Sequence, residues 1–245
     1  MELRKASYKD TPLLTEEELM GKLLCTDNGA VWIELGCGEA KPAQILAKDL
    51  PRVRIHAYEV DEKQHDKNLA LQSSCPDNLT FGKAGMQDFP AENGSVDAIV
   101  MLKSLHHVPK EYMADGFARI KNALKPGGKL FISEPVFDGD FNEILRIFHD
   151  EQEVRSHAFD MVKAQVDSGN FDLQEEIHFQ KQVIFRRGFQ DFEEKILNST
   201  FNNFSLTDNV IQAVREKFQK HEKADGSAEF LAPLRVDVLV KRTLA

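Results

Sequence analysis

The chain predicts an α/β protein built on a parallel sheet. Three observations carry this expectation. Apolar, β-type runs at Val31–Ile33, Arg54–Tyr58, Leu79–Ala84, Val96–Leu102 and Lys129–Ser133 alternate with stretches of helical periodicity. The fourth run, VDAIVML, is almost continuously apolar, as a strand buried on both faces should be. The first run passes through a glycine turn straight into a helical pattern, VWIELGCGEAKPAQILAKDL. Strands alternating with helices make a parallel sheet covered on both faces, and ligands then gather at the carboxyl ends of the strands.

The elements follow in order. Thr15 to Glu18 reads as a capping box opening a helix that runs to about Leu24, after an irregular leader containing Tyr8 and Asp10. Glycine in the Glu34–Gly38 turn permits backbone angles closed to other residues and lets a ligand approach with no Cβ in the way. Pro42 suits the first turn of the next helix, whose free N–H groups are a seat for polar or anionic atoms. About 20 residues beyond the glycines the second strand ends at Glu59-Val60-Asp61, where an acid accepts hydrogen bonds from both ribose hydroxyls in dinucleotide-type folds. Glycines and acid together predict an adenosine-containing cofactor. A helix from about Glu62 to Ser73 brings Gln64, His65 and Asn68 to the same side, and the segment Gly85–Pro90 follows the third strand. Lys103–Pro109 follows the fourth strand. The helix from about Lys110 to Leu124, with Met113, Phe117, Ile120 and Leu124 on one face, ends at the stop signal Lys125-Pro126-Gly127-Gly128.

Beyond Pro135 the pattern changes. Phe141, Ile144, Leu145 and Phe148 form one helical stripe with Asn142, Arg146 and His149 opposite, and a second helix is expected from about Glu151 to Asp167. Leu173–Phe185 reads as a bent or bulged strand, Asp191–Leu197 and Thr207–Lys220 as helices, and Leu234–Val240 as a final strand.

The third glycine of the dinucleotide fingerprint is absent, since Glu39-Ala40-Lys41 follows Gly38. A nicotinamide site uses that glycine to fit a pyrophosphate, whereas a cofactor without phosphates does not need it. Here the sequence resembles the class I S-adenosylmethionine (SAM) methyltransferases. Their first motif, an acid followed by x-G-x-G, matches Glu34-Leu35-Gly36-Cys37-Gly38, and VDAIVMLKSLHHV…LKPGGKLFISEP resembles their later motifs in order and spacing. The resemblance implies a Rossmann-like, doubly wound seven-stranded sheet of order 3-2-1-4-5-7-6 with the last strand antiparallel. It implies one domain over residues 1–245, with a leader and helix at 1–28 and a helical cap at 137–169 over the substrate. It implies SAM as cofactor, S-adenosylhomocysteine as product, and cofactor contacts from Tyr8, Glu34, Gly36, Cys37, Gly38, Glu59, Val60, Met86, Gln87, Leu102 and Lys103. The family's acid on the adenine edge is replaced by Gly85, leaving Gln87 and Asp88 as the nearest polar groups.

Methyl transfer from SAM needs alignment more than a universal catalytic group; a base helps where the nucleophile must lose a proton. His106 and His107, at the functional end of a core strand, are the base candidates, and Glu134 is a candidate to orient substrate or hold a loop. Arg146 and His149 in the cap, with Arg155, point to an anionic group on the substrate. Cys37 reads as a small filler, and the spacing of His and Cys shows no zinc pattern, so no metal is expected. The leading expectation is transfer of a methyl group to an O or N nucleophile of a small molecule. The alternatives are a SAM-binding module without catalysis and a nicotinamide-dependent oxidoreductase.

Composition bounds these readings. The 245 residues carry a net charge of −9 without a Lys/Arg block, which argues against a nucleic-acid footprint. No apolar run approaches a membrane span, the first residues lack the apolar core of a signal peptide, and three cysteines in an odd count read as reduced thiols. A cytoplasmic protein is expected.

Overall fold

A computed structural model describes residues 1–198 and 206–242. Its strands are β1 (Val31–Leu35), β2 (Arg54–Glu59), β3 (Leu79–Lys83), β4 (Val96–Leu102), β5 (Leu124–Pro135), β6 (Phe171–Phe185) and β7 (Ala228–Lys241). They form a seven-stranded sheet of order β3-β2-β1-β4-β5-β7-β6. Pairings from β3 through β5 are parallel, and β7 runs antiparallel to both its neighbours. The topology expected from the resemblance is therefore observed. The strand order reverses between β1 and β4, which opens a crevice at their carboxyl ends.

The helices are α1 (Glu16–Leu23), α2 (Lys41–Asp49), α3 (Glu62–Leu71), α4 (Lys110–Ala123), α5 (Gly139–Leu145), α6 (Gln152–Asp167), α7 (Phe189–Phe192) and α8 (Asp208–Phe218). The starts of α1 and α3 follow from local chemistry. Thr15 and Glu18 form the reciprocal capping box of α1, and Asp61 caps α3 by accepting from the Gln64 N–H at 2.8 Å. α5 is shorter than the apolar stripe that announces it, ending at Leu145, so Phe148 lies beyond it. α7 passes into one π-helical turn over Glu193–Leu197.

Period-two alternation along the central strands divides the core. Trp32 and Val100 join Ala43, Leu46 and Met20 on the α1/α2 face, whereas Ile33, Ile99 and Met101 join Phe117, Ile120 and Val162 on the α4/α6 face. Two strands differ from expectation. β5 starts at Leu124, which pairs with Val96, and the ladder resumes only at Ala98↔Lys129, so the Pro-Gly-Gly segment that ends α4 also bulges the strand. β7 extends back to Ala228 because it pairs with β6 along its whole length. The β5 ladder stops at Leu234: one residue on, Pro233 accepts the Val136 N–H at 3.0 Å but has no N–H to return, so the pairing ends there.

That extension of β6 and β7 carries a third cluster. Phe185, Phe189, Phe192, Phe218 and Phe230 are buried together, with Phe141, Leu145 and Phe148 packed against them. Phe192 lies 5.1 Å from Phe218 and 5.5 Å from Phe185 by ring centroids, within the range of favourable aromatic pairs. Phe192→Ala is expected to cost about 3–5 kcal/mol, since Phe192 is fully buried and rings on every side hold the cavity open. Urea unfolding followed by near-UV circular dichroism measures this; a loss below about 1 kcal/mol would show that the cluster is not tightly packed.

Candidate active site

The glycine turn is organised by one carboxylate. Glu59, at the end of β2, is buried, and its Oε2 accepts the Gly38 N–H at 2.7 Å. Its Oε1 accepts the N–H groups of Val60 and Asp61 at 2.8 and 2.9 Å. Three of the roughly four acceptor positions of a carboxylate are thus used by backbone. The carboxylate expected to meet the ribose hydroxyls thus also holds the turn, with one acceptor position left over. Asn68 and Gln64 complete the frame from α3, Asn68 donating to the Gly38 carbonyl at 2.8 Å and Gln64 to Asn68 at 2.8 Å.

The two glycines serve different needs. Gly36 has φ +71°, and a Cβ there would lie 2.7 Å from the Ser104 Cβ, so glycine lets the turn pack under the loop after β4. Gly38 has φ +52°, and a Cβ there would meet open space, which leaves room for a ligand against the backbone. Val60, beside it, is an apolar side chain 58% exposed. Glu34 is buried, and among the described residues no hydrogen bond reaches its carboxyl. Burial pushes its pKa up to about 8 against the pull of Lys103, with Glu16, Glu17 and Glu59 adding to the rise. Burial likewise raises the Cys37 thiol, which suits a neutral filler.

Lys103 and His106 lie on the loop after β4. Lys103 has φ +54° and bonds to Glu16, a fully buried acid on the first turn of α1. Glu16 also accepts from Lys181 at 2.5 Å and Ser133 at 3.0 Å. Burial alone would raise its pKa, but the two lysines outweigh burial and hold it below the usual carboxylate range. His106 is buried, with Nδ1 on Glu134 Oε2, and Glu134 Oε1 accepts the Leu105 N–H at 2.9 Å. Burial disfavours the His106 cation, yet Glu134 and Glu151 outweigh it and push its pKa up to about 9. His107 is half-exposed; burial of its inner part and the neighbouring His106 charge lower its pKa. A cavity of about 330 Å³ opens here, lined by Lys103, His106, His107, Glu151, Arg155 and Lys181 and by the apolar Pro135, Val136, Phe141, Leu145, Val183 and Leu234. α5 and the start of α6 form its roof.

The structure gathers Glu34, Gly36, Cys37, Gly38, Glu59, Val60, Leu102 and Lys103 at the carboxyl ends of β1, β2 and β4, with Leu102 buried in the core. His106, His107 and Glu134 lie beside them, after β4 and at the end of β5, whereas the side chains of Tyr8, Met86, Gln87, Arg146 and His149 are placed elsewhere. Tyr8 is buried with its hydroxyl on His178 Nδ1 at 3.1 Å, and it lines a separate cavity beside β6. The Met86 side chain fills the space beside Gly116 in the α4 core, because a small residue there leaves a hole for it. Gln87 folds over Gly85 and faces α4. Arg146 lies outside the cavity lining, paired with Glu143 at 3.2 Å and Asp150 at 3.7 Å; its place is taken by Arg155, one helix later. His149 is 2.8 Å from Glu151 Oε1. The roles of Glu16, Glu151 and Lys181 are not legible in the sequence, since Glu16 and Lys181 pair across 165 residues and Glu151 faces His106 from the far side of α4 and β5.

Residues 33–128 match the family model described as a methyltransferase domain. Over this stretch, from β1 into β5, the chain is similar to methyltransferase domains. Over 104 residues it is 27% identical to the 27-O-demethylrifamycin SV methyltransferase of Amycolatopsis mediterranei (strain S699), covering 42% of this chain and 37% of that protein. The chain thus spans little more than a third of the length of that curated relative. Among solved structures it is similar to a putative methyltransferase from Bacillus halodurans C-125, with TM-score 0.63, 15% identity, and coverage of 93% of this chain and 99% of that one. It also resembles phosphoethanolamine N-methyltransferase 2 of Haemonchus contortus, solved with phosphomonomethylethanolamine and S-adenosylhomocysteine, with TM-score 0.58, 16% identity, and coverage of 93% and 52%. These structural likenesses establish the fold. Among the described residues no helix is long and apolar enough to cross a membrane.

Two outcomes follow from the carboxylates. Because the Glu34 pKa is raised above its unfolded value of 4.5, the folded state holds an extra proton between pH 4.5 and about 8, and stability falls as pH rises through that window. Glu34→Gln, which stays neutral, should therefore match the parent in stability below pH 4.5 and exceed it by a margin that grows up to about pH 8. Denaturant unfolding of protein without added ligand across this range measures it; a margin independent of pH would refute a protonated Glu34. Glu59→Ala leaves the Gly38, Val60 and Asp61 N–H groups without their acceptor and should cost at least about 2 kcal/mol, given ~1.5–3 kcal/mol for a hydrogen bond to a charged group. An unchanged unfolding midpoint would show that the turn does not depend on this carboxylate.

Proposed function

We propose that this protein is a SAM-dependent methyltransferase acting on an O or N nucleophile of a small, mostly apolar molecule. One observation carries the reading: a turn that opens at Gly38 beside a partnerless buried acid, Glu34, lies next to a capped cavity, with Lys103 common to both. The residues fit the cofactor. Glu34 is an acceptor for an ammonium group, the open face at Gly38 admits a ligand against the backbone, Glu59 keeps one acceptor position for a ribose hydroxyl, and Val60 offers an apolar surface to a base. When bound, SAM supplies a methyl group on a positively charged sulfur. The Haemonchus contortus structure with S-adenosylhomocysteine has the same fold, which supports this choice of cofactor.

The chain's own residues then align and enclose the acceptor. At about 330 Å³ the cavity is at the small end of ligand pockets, and its lining is apolar around a few convergent polar groups. Glu134 fixes His106, and with Leu105 it fixes the loop on which His107 faces the cavity, so His107 is placed to orient a polar group of the substrate. α5 and the start of α6 narrow the space for the acceptor, and alignment of a reacting group is worth ~7–11 kcal/mol of barrier. The same open cavity favours an enzyme over a binding module without catalysis, in which the space would be filled.

Calorimetry with SAM and S-adenosylhomocysteine should show binding of both. Glu59→Gln, which keeps one oxygen acceptor but loses the charge, should weaken both at least about tenfold, the equivalent of one charge-assisted bond. Folded protein that binds neither ligand would reject the proposal. A panel of small phenols and amines, scored by release of S-adenosylhomocysteine, then tests the acceptor class.

A further inference from the structure

One end of the cavity brings three metal-ligating groups to one point. His106 Nε2 is 3.6 Å and His107 Nε2 3.9 Å from the same atom, Glu151 Oε1. A donor atom from each of the three residues lies within 4.8 Å of the others. These separations are long for hydrogen bonds, which peak near ~2.9 Å. They suit ligands sharing an ion, because donors about 2.0–2.2 Å from a tetrahedral centre stand roughly 3.3–3.5 Å apart.

Each ligand is also held from behind. Glu134 grips His106 Nδ1, which fixes the ring and turns Nε2 toward Glu151. Arg155 takes Glu151 Oε2 and is itself bonded to Asn142 at 2.9 Å, which leaves Glu151 Oε1 facing the two imidazoles. Such outer partners are the usual companions of metal ligands, since they set tautomer and orientation. His149, 2.8 Å from Glu151 Oε1, holds the same oxygen from the loop after α5. An ion binding here would displace the His106 proton, after which Glu134 and Glu151 against Arg155 leave one negative charge beside it. Half-exposed His107 gives a route of entry from the cavity.

We propose that His106, His107 and Glu151 bind a divalent late first-row transition ion, of the zinc or cobalt class, with a coordination position open to the substrate cavity. Two nitrogens and one carboxylate oxygen select such ions over magnesium or calcium, which take oxygen ligands. An ion there would bind and acidify a hydroxyl of the substrate. The inference stands on the side-chain geometry and does not require the identity of the methyl donor.

The test uses the full chain without an affinity tag, stripped with a chelator and dialysed. Titration with Co²⁺ should give one equivalent per chain, with visible bands of nitrogen ligation, and Zn²⁺ should displace it while millimolar Mg²⁺ does not. His107→Ala should abolish the stoichiometric signal, with far-UV circular dichroism and thermal unfolding in the metal-free state unchanged, since His107 is half-exposed. Glu134→Gln should weaken Co²⁺ binding about 10–100-fold through orientation of His106. Failure to bind one equivalent, binding that persists unchanged in His107→Ala, or displacement by Mg²⁺ would each overturn the proposal.

Discussion

The site depends on the Glu59 carboxylate. It ties the end of β2 to the turn after β1 through Gly38 and reaches its own chain at Val60 and Asp61. A glycine turn has little to hold its shape, because glycine gives up more conformational freedom than any other residue on folding. Charge-assisted bonds from backbone N–H groups to a buried carboxylate supply that restraint without any side chain in the turn. The face at Gly38 then stays clear while the backbone around it is fixed, and preorganisation of this kind lowers the cost of binding a ligand.

A second restraint ties the chain's start to its middle. Glu16 heads α1, yet its carboxylate is buried among Lys103 just after β4, Lys181 within β6 and Ser133 within β5. A buried charge of this kind is tolerable only when paired, and two ammonium groups and a hydroxyl make it so. The result positions Lys103 on the wall between the glycine turn and the substrate cavity, and its positive φ records how sharply the chain leaves β4 there. The capping pair Thr15 and Glu18 announces the helix. Nothing in the spacing of Glu16, Glu17 and Glu18 says which of three adjacent acids is buried.

Around the cavity, the structure divides support from contact. Glu134 is spent on the Leu105 N–H and on His106, so it holds a loop and orients a ring. The phenylalanine cluster under β6 and β7 seats α5, and α5 in turn roofs the cavity with Phe141, Asn142 and Leu145. Packing far from the glycine turn thereby sets the volume open to a substrate.

The sequence by itself determined the strands and helices of residues 31–135, the sheet class and the glycine–acid pair, because these are local or nearly local signals. Period two against period 3.6, a capping box, glycine where a turn needs it and an acid at a strand end are each read within about 20 residues. The order of the sheet also followed, through resemblance to a family rather than through any single element. Tertiary structure alone decided which side chains share the site. Met86 looked like a cofactor contact and is core, because Gly116 on α4 leaves room for it. Tyr8 went to His178, and Arg155 rather than Arg146 lines the cavity, because α6 is turned by packing Ala158 and Val162 into the α4-side core, a contact the charge pattern does not announce. His106, His107 and Glu151 meet across more than 40 residues of chain, a distance over which only the fold can bring ligands together.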